Sequence, residues 1–152
     1  RQVVRDTETG EWREEPADYV DDWDAEKLRA LTPHVRHTAE SGGLVLGAFD
    51  DEDVLVAFVT VEPDPMGTDG DYLELTALHV SEELRGHHIG RQLFLRAAHW
   101  ARGRGAAKLF LSTHPDVATQ RFYEGLGAVD ATEPIAPHGD PDPADRPLEF
   151  VL

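Results

Sequence analysis

Apolar positions along this chain follow two periods, and the change between them predicts the elements. Gln2 to Arg5 and Glu11 to Arg13 flank a polar Thr-Glu-Thr-Gly stretch, which predicts a small hairpin. Two short helices are expected next. Asp24 caps the first, which runs through Leu28 and Leu31; Thr32 caps the second, with Pro33 in its first turn, and Gly42-Gly43 stops it. Leu44–Phe49 and Val54–Val61 are almost wholly apolar runs joined by an acidic turn, the pattern of strands covered on both faces. A loop over Glu62–Gly70 leads to a third strand, Tyr72–Val80, and Ser81–His88 reads as loop.

The clearest helix is Ile89–Arg102, where Ile89, Leu93, Ala97, Trp100 and Ala101 recur at helical spacing before Gly103 and Gly105. Ala107–Ser112 predicts a strand, Asp116–Leu126 a helix, Ala128–Ala131 a short strand and Leu148–Leu152 a closing strand. Glu133–Arg146 is rich in Pro and Asp and reads as loop. Strands and helices alternate in the second half, so the class is α/β, or α+β with a mixed sheet. The 152 residues are the length of one domain, taken as 1–152.

Composition narrows the chemistry. With no Cys, a disulfide scaffold, a zinc ribbon and a cysteine nucleophile are all excluded. No apolar run approaches the roughly 18 residues of a membrane helix, and no signal-peptide pattern opens the chain. The expectation is a cytoplasmic protein without membrane contact. The first residue is Arg1, not Met, and a longer natural start is expected. The formal net charge is -16, with Asp+Glu 30 against Lys+Arg 14. Such a field repels phosphate backbones, so no nucleic-acid partner is expected. Surface solvation accounts for acidic residues spread along the whole chain; attraction of cationic amines is the functional counterpart.

One segment concentrates candidate chemistry: Leu78-His79-Val80, then Ser81 to Leu84, then Arg85-Gly86-His87-His88-Ile89-Gly90-Arg91. It is a strand, a loop and a helix start. Loop N–H groups and the free N–H groups of a first helical turn converge there, which makes an anion cradle. Gly86 and Gly90 let the backbone approach a bulky pyrophosphate, and Arg85 and Arg91 add cationic donors. Without further signal, Arg85 would be read as a surface ion-pair partner of Glu82 or Glu83. No Gly-Lys-Ser/Thr marks a Walker loop, and the spacing is not a dinucleotide fingerprint.

Arg85-Gly86-His87-His88-Ile89-Gly90 resembles the Gln/Arg-x-x-Gly-x-Gly/Ala pyrophosphate motif of the GNAT superfamily of N-acetyltransferases. Thr119 to Ala128 resembles the same superfamily's second motif, a helix that carries Tyr and ends at Gly. The resemblance covers about residues 43–152. It implies a central mixed, mostly antiparallel sheet flanked by helices on both faces, with strands splayed at the site of acetyl-CoA. Leu78, His79 and Val80 would then pair with the pantetheine arm. Arg85, Gly86, His87, His88, Ile89, Gly90 and Arg91 would hold the pyrophosphate. Tyr123 stands where the superfamily places a general acid, and Asp116 where many members have an Asn beside the cofactor arm. His88 replaces the middle glycine of the motif, and Ala128 stands where Phe is usual. A homodimer is carried over as an expectation, although no residue marks an interface.

The implied reaction joins acetyl-CoA and an amine acceptor directly in a ternary complex. An alkylamine with a pKa near 10.4 is free base only about once in two or three thousand molecules at pH 7, so a general base helps. Glu74 lies six residues before Val80, the offset of the base Glu in the superfamily's histone-acetylating branch. It shares a strand face with Thr76, Leu78 and Val80 unless a bulge intervenes. The alternative is a solvent-facing Glu at a strand end. His79 is a second candidate base, read more readily as structural. For Tyr123 the alternative is a packed ring with its hydroxyl on backbone. No metal is expected: His87, His88 and His114 lack companions at ligand spacing. Ser112 and His114 sit on no nucleophile elbow. Asp140 to Asp145 has proline where a calcium loop needs ligands.

Overall fold

The computed structural model describes residues 1–17, 25–139 and 142–152. A separate antiparallel hairpin of β1 (Gln2–Arg5) and β2 (Trp12–Glu15) opens the chain. Helix α1 (Ala25–Glu40) follows, then β3 (Leu44–Phe49), β4 (Leu55–Val61) and β5 (Tyr72–Val80). Helix α2 (Ile89–Gly103), β6 (Lys108–Thr113), α3 (Val117–Leu126), β7 (Val129–Asp130) and β8 (Arg146–Val151) complete the order. The main sheet has six strands ordered β3-β4-β5-β6-β8-β7. Every neighbouring pair is antiparallel except β5 and β6, which run parallel.

Two expectations from the sequence change here. The predicted pair of helices is one helix, with Pro33 inside it. The missing N–H of Pro33 deprives the carbonyl of Arg29, but both residues are exposed, so water can take that carbonyl. Thr38 and His34 hold the same helix to the sheet from its inner side: Thr38 Oγ1 donates to Glu62 Oε1 at 2.7 Å, and His34 Nε2 lies 3.3 Å from Thr76 Oγ1. The proposed cap Asp24 lies outside the described residues. Strand β3 is also not covered on both faces; it is the sheet edge, and Phe49 at its end is 62% exposed.

The core lies between the sheet and α2. Leu93, Phe94, Ala97 and Ala101 of α2 meet Val59, Val61, Leu73, Leu75, Leu109, Leu111 and Leu148, all buried. Small residues at 97 and 101 let the helix approach the strands closely. On the opposite face, α1 packs on β3 and β4. Helix α3 joins the α2 side through Tyr123, whose ring centroid is 6.0 Å from that of Phe94. The hairpin docks on the start of α3, where Gln2 bridges to Asp116 and Val3 N donates to Pro115 O. Arg146 locks that end: it pairs with Glu124 and Asp130 at 2.8 Å and covers the Trp12 ring at 5.1 Å.

At the far end of the sheet, buried Tyr72 and Glu149 form a polar group with the half-buried Lys108. Tyr72 Oη donates to Glu149 Oε2, and Lys108 Nζ lies 3.1 Å from the same oxygen. Burial raises the Glu149 pKa, but hydrogen bonds from Tyr72, Lys108 and Thr132 outweigh it, so the net shift is downward. A lowered folded-state value stabilises the protein above the unfolded carboxyl's range, and that contribution is lost as pH falls through the folded value. Glu149→Gln is therefore expected to lower the Tm at pH 7. The deficit should shrink steadily below the usual value of 4.5, read by calorimetry of both proteins over a pH series.

Helix α2 begins without a capping side chain. Its N-cap, His88, sits in the left-handed region at φ 63 and ψ 14, and no side-chain hydrogen bond closes the first turn. A β-carbon in that region is strained by about 1–3 kcal/mol, part of which returns as a stiffer unfolded chain. His88→Gly should accordingly stabilise the fold by about 0.5–1 kcal/mol in urea unfolding. An unchanged midpoint would show that this strain is relieved elsewhere.

Candidate active site

The geometry of the site starts from how little of β5 pairs with β6. The parallel ladder holds Tyr72 to Lys108, Leu73 to Leu109 and Glu74 to Phe110, and then stops. Beyond Glu74 the strands diverge, and burial along β5 changes from full to half between Leu75 and Thr76. A central strand thus exposes one edge of main-chain donors and acceptors from within the sheet. Such groups require partners.

A cavity of about 540 Å³ occupies this opening. Leu78, His79 and Val80 form one wall, and Arg85, Gly86, His88, Ile89, Gly90 and Arg91 form its mouth. Asp116 and Tyr123 close the other side. Of the cofactor residues offered by the sequence, only His87 is absent from the wall; it is exposed. Leu84, Ala118, Thr119 and Phe122 also line the cavity. Sequence reasoning passed over these four because their side chains carry no distinctive chemistry; Ala118 and Thr119 follow from the helical position of Tyr123.

The mouth gathers backbone N–H groups and two arginines. The first intrahelical bond of α2 runs from Gln92 N to His88 O, which leaves the N–H groups of Ile89, Gly90 and Arg91 outside the helix ladder. Gly86 has φ 84 and open space around its α-carbon, so the chain turns there without a side chain in the way. At Gly90 a β-carbon would come within 3.3 Å of Phe122 and 3.4 Å of Val80, so α2 needs glycine to approach α3 and β5. Arg85 is exposed, and its Nε donates to Val80 O at 3.2 Å, which folds the guanidinium back over the end of β5. Its guanidinium thus meets the carbonyl at the strand end, and not the carboxylate of Glu82 or Glu83.

Asp116 is the N-cap of α3, and its Oδ2 accepts from Thr119 N at 3.0 Å and Thr119 Oγ1 at 3.2 Å. Its charge is absorbed by the helix start, so it can border an anion cradle at reduced cost. Tyr123 is buried, with its ring 5.1 Å from that of Phe122, and its hydroxyl takes no hydrogen-bond partner among the described residues. The alternative of a hydroxyl satisfied by backbone is thus not what the fold adopts. Burial pushes the Tyr123 phenol far above its ordinary value, so it stays protonated throughout the neutral range. The His79 ring packs 6.0 Å from Phe58 on the opposite face of the sheet.

Glu74 is only 3% exposed and does not line this cavity. The bulge named as a condition is present: β4 pairs Thr60 with Ala77 and Val61 with Leu75, leaving Thr76 as the extra residue. Leu73 and Leu75 face α2 before the bulge, and Leu78 and Val80 face it afterwards. Glu74 therefore points to the other face from Leu78 and Val80. There its Oε2 accepts from His138 N at 2.8 Å and pairs with His138 Nδ1. Burial raises the Glu74 pKa and the charge of Glu62 adds to this, against the lowering by His138. His138 was missed because it sits in a Pro-rich loop 64 residues from its partner; a lone His in an acidic loop was the only signal.

The other polar candidates stay apart. Ser112 Oγ donates to Asp145 Oδ2 at 3.1 Å, not to His114. Among the described residues no three His, Asp or Glu side chains converge as a metal site. Of the Asp140 to Asp145 stretch, Asp140 and Pro141 lie outside the described residues, and Asp142 Oδ1 caps a turn by accepting from Ala144 N. No helix of the described residues is long and apolar enough to cross a membrane.

Comparison with known proteins places this geometry. The chain overlays an acetyltransferase of the GNAT family from Staphylococcus aureus Mu50 with a TM-score of 0.67 at 17% identity, over 85% of this chain and 80% of that one. A PaiA N-acetyltransferase from Thermoplasma acidophilum in complex with coenzyme A gives 0.62 at 20% identity, over 86% and 80%. An aminoglycoside 6'-N-acetyltransferase complexed with coenzyme A gives 0.63 at 18% identity, over 83% and 87%. No curated protein matches the chain. The family model described as acetyltransferase (GNAT) family matches residues 2–128, and the chain belongs to that family.

Proposed function

We propose that this protein is an N-acetyltransferase that transfers an acetyl group from acetyl-CoA to a primary amine of a small molecule or peptide. One observation carries the reading: the parting of β5 and β6 opens a cavity whose mouth is the uncapped start of α2. The unpaired edge at Leu78, His79 and Val80 suits an extended amide-bearing arm. The N–H groups from Gly86 to Arg91, with Arg85 and Arg91, suit a pyrophosphate. Solved relatives of the same fold are described as complexes with coenzyme A, which supports the match.

Acetyl-CoA would supply the acyl group as a thioester. The residues of the chain then divide the work. Arg85 and the α2 start fix the anionic end. The open edge of β5 aligns the arm, and Tyr123 holds a proton for the departing sulfur. Glu74 supplies negative charge at the vertex where the amine must lose a proton. With no Cys and no activated Ser, attack is direct within a ternary complex. The acidic balance of the chain favours a basic amine, such as a polyamine or an aminoglycoside-like amine.

Calorimetric titration with acetyl-CoA tests the cradle. One-to-one binding is expected, and Arg85→Ala should weaken it roughly 5- to 150-fold, in line with a charge-assisted contact of about 1–3 kcal/mol. Unchanged affinity would remove Arg85 from the site. Tyr123→Phe should lower kcat by about 10²-fold or more while the acetyl-CoA dissociation constant stays within threefold, as expected of a proton donor. Binding without turnover of any amine would identify a coenzyme-A-binding module of the same fold instead.

A further inference from the structure

We propose that His138 is the group that takes the proton from the acceptor amine, with Glu74 as its positioning residue. This deepens the acyl-transfer reading and rests on it. The carboxylate implied by the resemblance is not free to meet an amine. Its Oε2 already receives two donors, the backbone N–H and the Nδ1 of a single residue, His138. Glu74 itself is only 3% exposed, whereas the His138 side chain is 33% exposed.

The same contacts orient the imidazole. Nδ1–H pointing at a carboxylate fixes the tautomer in which Nε2 carries the lone pair. The two ring nitrogens point away from each other, so Nε2 is turned away from Glu74. His138 borders a second, polar hollow of about 460 Å³ between the Met66–Thr68 turn and the Glu133–Ala136 loop. Neither turn contributes to the cavity at the α2 start. Glu74 is also the last residue of β5 paired with β6. The dyad therefore stands where β5 parts from β6, on the stretch of strand that precedes the Leu78 to Val80 wall of the cavity. Around it, Glu62 and His34 of α1 lie behind Glu74, and Glu133 borders the hollow.

The proton balance closes on these groups. One proton of the ammonium passes to His138 Nε2 and from there to water. The freed pair on nitrogen forms the C–N bond as the C–S bond breaks, with its electrons on sulfur. Tyr123 gives sulfur a proton and regains one from the acylated nitrogen. The carboxylate of Glu74 offsets the positive charge that His138 acquires.

His138→Asn keeps a donor for Glu74 but has no basic nitrogen. It is expected to lower kcat by about 10²–10⁴-fold, with acetyl-CoA affinity and Tm unchanged, and His138→Ala should regain turnover with added imidazole. Nitrogen-15 NMR of the wild-type chain without acetyl-CoA should show His138 as the Nδ1–H tautomer, and Glu74→Gln should disturb that preference. An active His138→Asn, or an Nε2–H tautomer in the wild type, overturns the assignment and leaves the acetyltransferase reading standing. A wild-type chain that turns over no amine overturns both.

Discussion

Parallel pairing between β5 and β6 is limited to three residue pairs, from Tyr72 with Lys108 to Glu74 with Phe110, and the rest of the site depends on that limit. Had the ladder continued, the edge at Leu78 to Val80 would be consumed by β6 and the cavity would close. What lies beside the parted strands is packing from the α2 side. Phe122 and Tyr123 of α3 and the start of α2 occupy the space beside the open edge, and Gly90 lets α2 approach within contact of Phe122 and Val80. What holds them together below the vertex is the Tyr72, Lys108 and Glu149 group, which ties β5, β6 and β8 at one level. The opening is thus a hinge with one end pinned by charge and hydrogen bonds and the other flanked by aromatic rings.

The bulge at Thr76 gives this arrangement its two chemically different sides. Without it, Glu74 would lie on the face of Leu78 and Val80, inside the α2 core, where an ionised carboxylate is costly. With the extra residue, the apolar side chains before and after the bulge both face α2, while Glu74 turns to the α1 face. Thr76 itself is satisfied there, 2.8 Å from Thr60 Oγ1 and 3.3 Å from His34 Nε2. One inserted residue therefore puts the Leu78 and Val80 side chains on one face of the sheet and the Glu74 carboxylate on the other.

Much of this was legible in the sequence, and the exceptions share a cause. The bounds of β5 and the start of α2 follow from local periodicity and were read to the residue. The family follows from two motifs at the right separation. Pro33 misled because Thr32-Pro33 is a sound local cap signal, and only the solvent-facing placement of that turn lets the helix run through it. The exposed edge β3 misled because an apolar run does not say which strands will neighbour it. The Thr76 bulge depends on register with β4, and the Glu74 to His138 contact spans 64 residues. None of these four is a property of a short window.

In a chain of net charge -16, the mouth of the cavity still presents mainly backbone donors. A polyphosphate approaching this chain meets a repulsive field at long range, but salt screens that field beyond about 8–10 Å. Inside that distance the deciding terms are short-ranged: three N–H groups outside the α2 ladder, the turn at Gly86, and two arginines at its rim. Backbone donors bring no counter-charge that neighbouring carboxylates would neutralise, so the acidic surface can vary without dismantling the site. The strained N-cap fits the same logic. His88 takes a backbone angle that glycine would adopt freely, so the turn there is kept despite its side chain. The α1 face differs, because its polar groups are side chains: Glu62 and Glu74 are buried there, held by hydrogen bonds from Thr38 and from the backbone of His138.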